Sequence, residues 1–139
     1  MFLLDTNVLS ETLRPHPDRA VMRALKRHSE ELATATSVLH ELLFGAARLP
    51  PGARRTAVLR EIEQVFLTTL EILPYDLHAA QWHAEERARL VSEGRTPAYV
   101  DGQIAAIAAV NGLTLVTRNV ADFSGFAGLS VEDWAVAGG

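Results

Sequence analysis

The sequence predicts an α/β fold, a single domain with a mostly parallel central β-sheet flanked by α-helices. Three observations carry this. Short apolar runs alternate with pairs of helix-periodic segments, in the order strand, helix, helix, repeated along the chain. No repeat, low-complexity tract or linker divides the 139 residues. That length lets one domain bury roughly two-thirds of the surface its unfolded chain exposes.

The elements follow in order. Phe2-Leu3-Leu4 is an apolar run stopping at Asp5, as a buried strand ends in a polar turn. Asp5-Thr6-Asn7 caps a helix that Pro15 and Pro17 break. Asp18 starts a second helix to about His28, with Val21, Met22 and Leu25 on its inner face and Arg19, Arg23, Lys26 and Arg27 on the other. Glu31 to Ala35 is a strand. Thr36 or Ser37 caps a third helix carrying Val38, Leu39, Leu42, Leu43 and Ala46, ended by Pro50-Pro51-Gly52. Residues 53–70 form an amphipathic helix with Val58, Ile62, Val65, Phe66 and Leu70 on one stripe. Glu71 to Leu73 is a short strand. Asp76 caps a helix to Gly94, with Leu77, Ala80, Ala84, Ala88 and Val91 facing inward. Pro97 opens a helix from Ala98 to Val110, which Asn111-Gly112 stops. Leu113 to Thr117 is the clearest strand, and a loop at 118–128 leads to a last one near Leu129-Ser130-Val131.

Composition narrows the function. Without cysteine there is no disulfide framework, thiolate zinc site, iron–sulfur cluster or cysteine nucleophile. The N-terminus lacks the pattern of a signal peptide, and the run Ile104 to Val110 is too short to span a bilayer. The expectation is a soluble, cytoplasmic protein with no membrane partner. A formal charge of −4 argues against gripping nucleic acid through bulk positive charge. Twelve of the 13 basic residues are arginines, whose planar fork suits phosphate.

Familiar motifs fail. There is no glycine-rich phosphate loop and no Gly-x-Ser-x-Gly elbow. His40-Glu41 begins like a zinc-protease helix, but Phe44 stands where the second histidine belongs. What remains is a set of acids at the edges of apolar packing. Asp5 ends a strand, Glu41 and Asp101 lie near the starts of apolar helices, and Asp122 follows the strongest strand. Each, taken singly, also reads as a helix cap, a complement to a helix dipole or a turn former. Together they converge on the carboxyl ends of the strands, where α/β sheets bind ligands. Crowded carboxylates need cations or raised pKa values. A hard divalent metal relieves them, and such a metal can activate water and stabilise a leaving oxyanion in phosphodiester cleavage.

These segments resemble the PIN-domain family, in particular its VapC-like, FitB-related toxin branch. Phe2-Leu3-Leu4-Asp5-Thr6-Asn7 resembles the opening motif and His40-Glu41-Leu42 the second. Tyr99-Val100-Asp101-Gly102-Gln103-Ile104-Ala105-Ala106-Ile107-Ala108 resembles the third, and Thr117-Arg118-Asn119 through Asp122-Phe123 the fourth. The resemblance covers essentially the whole chain, 1–139. It implies a Mg²⁺- or Mn²⁺-dependent endoribonuclease toxin that is held inactive by a cognate antitoxin and dimerises with itself. Asp5, Glu41, Asp101 and Asp122 would be the catalytic and metal-binding acids, with Thr6, Thr117 and Asn119 in support. Either Asn119 or Asp122 supplies the fourth site group. Arg118 and the stripe Arg19, Arg23 and Arg27 are candidate RNA contacts, the stripe reading equally well as a solvated helix face. Two other readings stay open: a non-catalytic module binding RNA or an antitoxin, and a solitary RNA-processing nuclease. A phosphatase of the haloacid-dehalogenase type is set aside, because position seven is Asn7 and the one lysine, Lys26, lies too early.

Overall fold

The structure is a computed structural model, described here for residues 1–135. Five strands form one sheet: β1 (Phe2–Leu4), β2 (Leu32–Ala35), β3 (Glu71–Leu73), β4 (Thr114–Val116) and β5 (Val131–Glu132). Their order is β3-β2-β1-β4-β5 and every pairing is parallel. Parallel strands are covered on both faces, which is why these segments read as short, nearly unbroken apolar runs. Leu3, Leu4, Leu115 and Val116 are wholly buried. Thr34, a buried polar residue of β2, donates its hydroxyl to the Leu4 carbonyl at 2.8 Å.

Among the described residues eight α-helices cover the sheet: α1 (Thr6–Thr12), α2 (Arg19–Arg27), α3 (Thr36–Ala47), α4 (Ala53–Glu61), α5 (Leu67–Thr69), α6 (Leu77–Ser92), α7 (Tyr99–Val110) and α8 (Val120–Phe123). Asp5, Asp18 and Asp76 cap α1, α2 and α6, accepting from the backbone N–H of Thr6, Val21 and Ala79 at 2.8, 3.0 and 2.9 Å. Neither Thr36 nor Ser37 caps α3, whose N-cap is Ala35. Gly112 adopts φ 66°, ending α7 in the left-handed region. The apolar α7 is buried along Ile104 to Ala108. No helix among the described residues is long and apolar enough to cross a membrane.

Four helix faces differ from the sequence reading. In α6 the buried residues are Ala79, His83 and Leu90, while Leu77 and Val91 are exposed, as are Ala84 and Ala88. Hydropathy selects the wrong stripe because the buried one contains two polar groups whose desolvation is offset by partners. His83 Nδ1 pairs with the Tyr75 hydroxyl at 2.8 Å, and Glu86, half-buried, binds Arg89 and the Ala127 N–H. In α2 the inner face is Val21 and Ala24, with Met22 exposed. Leu43 of α3 is exposed as well. Between α4 and α5 a π-helical turn, Ile62–Phe66, inserts an extra residue, which turns Ile62 and Phe66 inward and Val65 outward.

Helices α6 and α7 pack closely at Gly102, where an added Cβ would lie 2.2 Å from His83 Nε2. Gly102→Ala should therefore lower stability by about 1–2 kcal/mol, overpacking outweighing the helix propensity gained. Gly45→Ala, with nothing within 4 Å of the new methyl, should raise it by up to about 1 kcal/mol. Thermal melts of the two variants check the pair; equal effects would contradict the packing.

Candidate active site

The strand order reverses direction at β1, between β2 and β4, which opens a crevice at the carboxyl ends of β1 and β4. Asp5 and Thr117 stand at those two ends. The Asp5 N–H continues the ladder to the Val116 carbonyl at 2.9 Å, so the side chains that follow the strands are brought together. The Thr117 hydroxyl donates to Asp5 Oδ2 at 2.7 Å and accepts from Asn7 Nδ2 at 3.2 Å and from the Asn119 N–H at 3.0 Å. Its one donor and two acceptor sites are thereby filled. Asn7 Oδ1 accepts from the Arg118 N–H at 3.0 Å. One buried hydroxyl and one amide lock the start of α1 to the loop after β4.

A cavity of about 540 Å³ opens here, lined among others by Asp5, Glu41, Asp101, Thr6, Asn7 and Asn119. Asp5 is buried; Glu41 and Asp101 are half-buried. Asp122, on α8, is exposed and lines a neighbouring cavity of about 450 Å³ instead. Its charge still reaches Asp5 and Asp101. Asn119 thus borders the acid cavity directly, while Asp122 acts on it from the rim. Burial pushes Asp5 up, against the hydrogen bonds from Thr117 and Thr6, and the Asp122 and Glu41 charges add to the rise. Burial, then the charges of Asp5, Asp122 and Glu41, push Asp101 from 3.8 to about 6.

The basic residues are placed differently from the acids. Arg19, Arg23, Lys26 and Arg27 are exposed on α2, and none lines the acid cavity. Arg118 is tied to Glu11, which is buried and also accepts from the Asp18 N–H at 2.9 Å and from Arg14. The hydrogen bond from Asp18, with Arg14 and Arg118 adding their charges, holds the Glu11 carboxyl below its usual range. Sequence reasoning passed over Glu11, and read Asn7 only as part of the capping segment and the opening motif. Glu11 resembles any surface acid of a helix until its partner, 107 residues away, is known.

A five-stranded parallel α/β domain with acids at its switch point defines the class, and the comparisons define the family. The sequence model of the PIN domain matches residues 2–129. The VapC ribonuclease Y4jK of Sinorhizobium fredii is 37% identical over 134 residues, 94% of this chain and 95% of that protein. Toxin FitB of Neisseria gonorrhoeae is 36% identical over 126 residues, 88% and 91% of the two chains. The solved structure of FitAB bound to an IR36 DNA fragment superposes with a TM-score of 0.91 at 32% identity, covering 100% of this chain and 99% of that one. The chain belongs to the PIN domain family, in the branch of the VapC ribonucleases and FitB toxins.

Asp101 gives this site a pH signature. Its folded-state pKa lies above the unfolded one, so the stability it contributes is complete below pH 3.8 and is lost as pH rises through about 6. Asp101→Asn removes that loss. At pH 7.5 the variant should be more stable by about 1 kcal/mol, after allowance for solvent screening of a half-exposed group, or a few degrees in melting temperature. At pH 4 the difference should shrink towards zero. Calorimetry across pH checks this; a variant less stable at pH 7.5 would contradict the repulsion.

Proposed function

We propose that this protein is a Mg²⁺- or Mn²⁺-dependent endoribonuclease, the toxin of a toxin–antitoxin pair. The observation that carries the reading is the gathering of Asp5, Glu41 and Asp101 around one cavity, with Asp122 close enough for its charge to act on Asp5 and Asp101. The donors are oxygens only, the set that hard divalent cations select. Among the described residues no three acids close on a single point. That spacing suits a cation that keeps several waters and takes few carboxylates directly. Asp5 and Asp101 would hold it, with Glu41 and Asp122 adding charge.

A bound cation would neutralise the phosphate and make water a better nucleophile. The chain's own residues supply the rest. Thr117 and the Thr6 N–H fix the Asp5 carboxylate. Asp101, whose carboxyl is raised to about 6 by burial and the neighbouring acids when no cation is bound, would be held ionised by one. Asn7 and Asn119 offer neutral polar groups at the cavity wall.

The acid cavity is also complementary to a basic side chain, the expected means by which an antitoxin blocks it. A homodimer belongs to the same reading, and the unburied apolar stripe of α6 offers it a surface. Arg118 is tied to Glu11 through one guanidinium nitrogen and keeps a partly exposed side chain, and the arginines of α2 offer a second exposed basic track.

RNA incubated with antitoxin-free protein should be cut in Mg²⁺ or Mn²⁺ and not in EDTA. Asp5→Asn should slow cutting by roughly a hundredfold or more. Equal cutting by both proteins would exclude this site. Separately, millimolar Mn²⁺ should raise the melting temperature of the wild type, because a ligand of the folded state alone shifts the equilibrium. Asp5→Asn should show a smaller rise. An unchanged wild-type melt would count against a cation site.

A further inference from the structure

Tyr99 stands two residues before Asp101, lines the same cavity, and is 52% exposed. Its ring is nevertheless held. The Arg87 guanidinium lies over it, 5.4 Å from the ring centroid. The His83 ring sits 5.0 Å away at 51°. His83 is buried and fixed in turn by the Tyr75 hydroxyl on Nδ1, with the Tyr75 ring edge-on to it. Gly102 makes room, since a side chain there would collide with the imidazole. None of Arg87, His83 and Tyr75 lines the acid cavity. Arg87 and the buried His83, both on α6, thus contact one exposed ring.

A ring braced from α6 and open towards a phosphate-cleaving site has an evident ligand class. The carboxylates act on phosphate, which is the same in every nucleotide. Proteins read single-stranded RNA by stacking bases on aromatic side chains. A ring already ordered loses little entropy on binding, so most of the stacking free energy remains as affinity.

We infer that Tyr99 forms a nucleobase-binding subsite beside the scissile phosphate, favouring purines for their larger π face, with Arg87 and His83 as positioning residues. This rests on the nuclease reading above. It assigns a role to His83, buried on α6, and to the exposed aromatic at the start of α7.

The test uses the full chain with Mn²⁺ and three short fluorescent 2′-O-methyl probes carrying equal numbers of phosphates: oligo(A), oligo(U) and an abasic backbone. Binding is read by anisotropy, and RNA cleavage is followed in parallel. The wild type should bind oligo(A) roughly 5- to 100-fold more tightly than the abasic probe, with oligo(U) between. Tyr99→Leu should bring oligo(A) down to the abasic level and leave abasic binding unchanged, while Tyr99→Phe keeps the preference. Arg87→Gln, a milder change, should lower oligo(A) binding more than abasic binding. If Tyr99→Leu weakens all probes alike, or retains the wild-type preference while the wild type cuts RNA, the subsite is overturned and the nuclease reading stands. If the wild type neither binds any probe nor cuts, the nuclease reading falls and takes the subsite with it.

Discussion

The hydrogen bond from the Thr117 hydroxyl to Asp5 joins the ends of β1 and β4, two residues separated by 112 positions in sequence. Both strands are central and wholly buried at their last residues, so neither end can shift without disturbing the core. Asp5 serves twice there. One oxygen caps α1 and the other receives Thr117, which leaves the carboxylate fixed in orientation before any ligand arrives. Asn7 and Asn119 are held to that fixed group through Thr117, and its charge helps to raise the Asp101 carboxyl.

Electrostatics then makes the site a store of unfavourable energy. Asp5 and Asp101 are desolvated near one another and near Glu41 and Asp122, and both have raised pKa values for that reason. A protein selected for stability alone would not hold acids in this way. A cation bound there would relieve the repulsion and couple folding stability to its own binding. By contrast, Glu11 is a buried acid whose partners surround it, and its pKa is lowered. Glu11 is thus an acid whose donors lower its pKa, while Asp5 and Asp101 are acids whose burial and neighbouring charges raise theirs.

Much of this was legible in the sequence. The apolar run Phe2–Leu4 ending at Asp5, and the capping aspartates Asp18 and Asp76, carry local signals that the structure reproduces. The gathering of Asp5, Glu41 and Asp101 in one cavity also follows from strand-end and helix-start positions in a parallel sheet. The buried face of α6 was not legible, because His83 and Glu86 look like surface residues until Tyr75 and Arg89 are seen beside them. The π turn at Ile62–Phe66 shifts the helical phase, which a 3.6-residue period cannot anticipate. Glu11 depends on Arg118, and no local pattern announces a partner so distant in sequence.

The central claim is that Asp5 at the end of β1, Glu41 within α3, Asp101 in the first turn of α7 and Asp122 on α8 form one cation site. Paramagnetic broadening of the amide resonances by sub-stoichiometric Mn²⁺ tests it directly on the intact chain. The account predicts that signals around residues 5–7, 41, 101 and 117–122 disappear first, while those of α2 persist. Uniform broadening, or broadening centred on another acidic segment such as Glu30-Glu31, would contradict it.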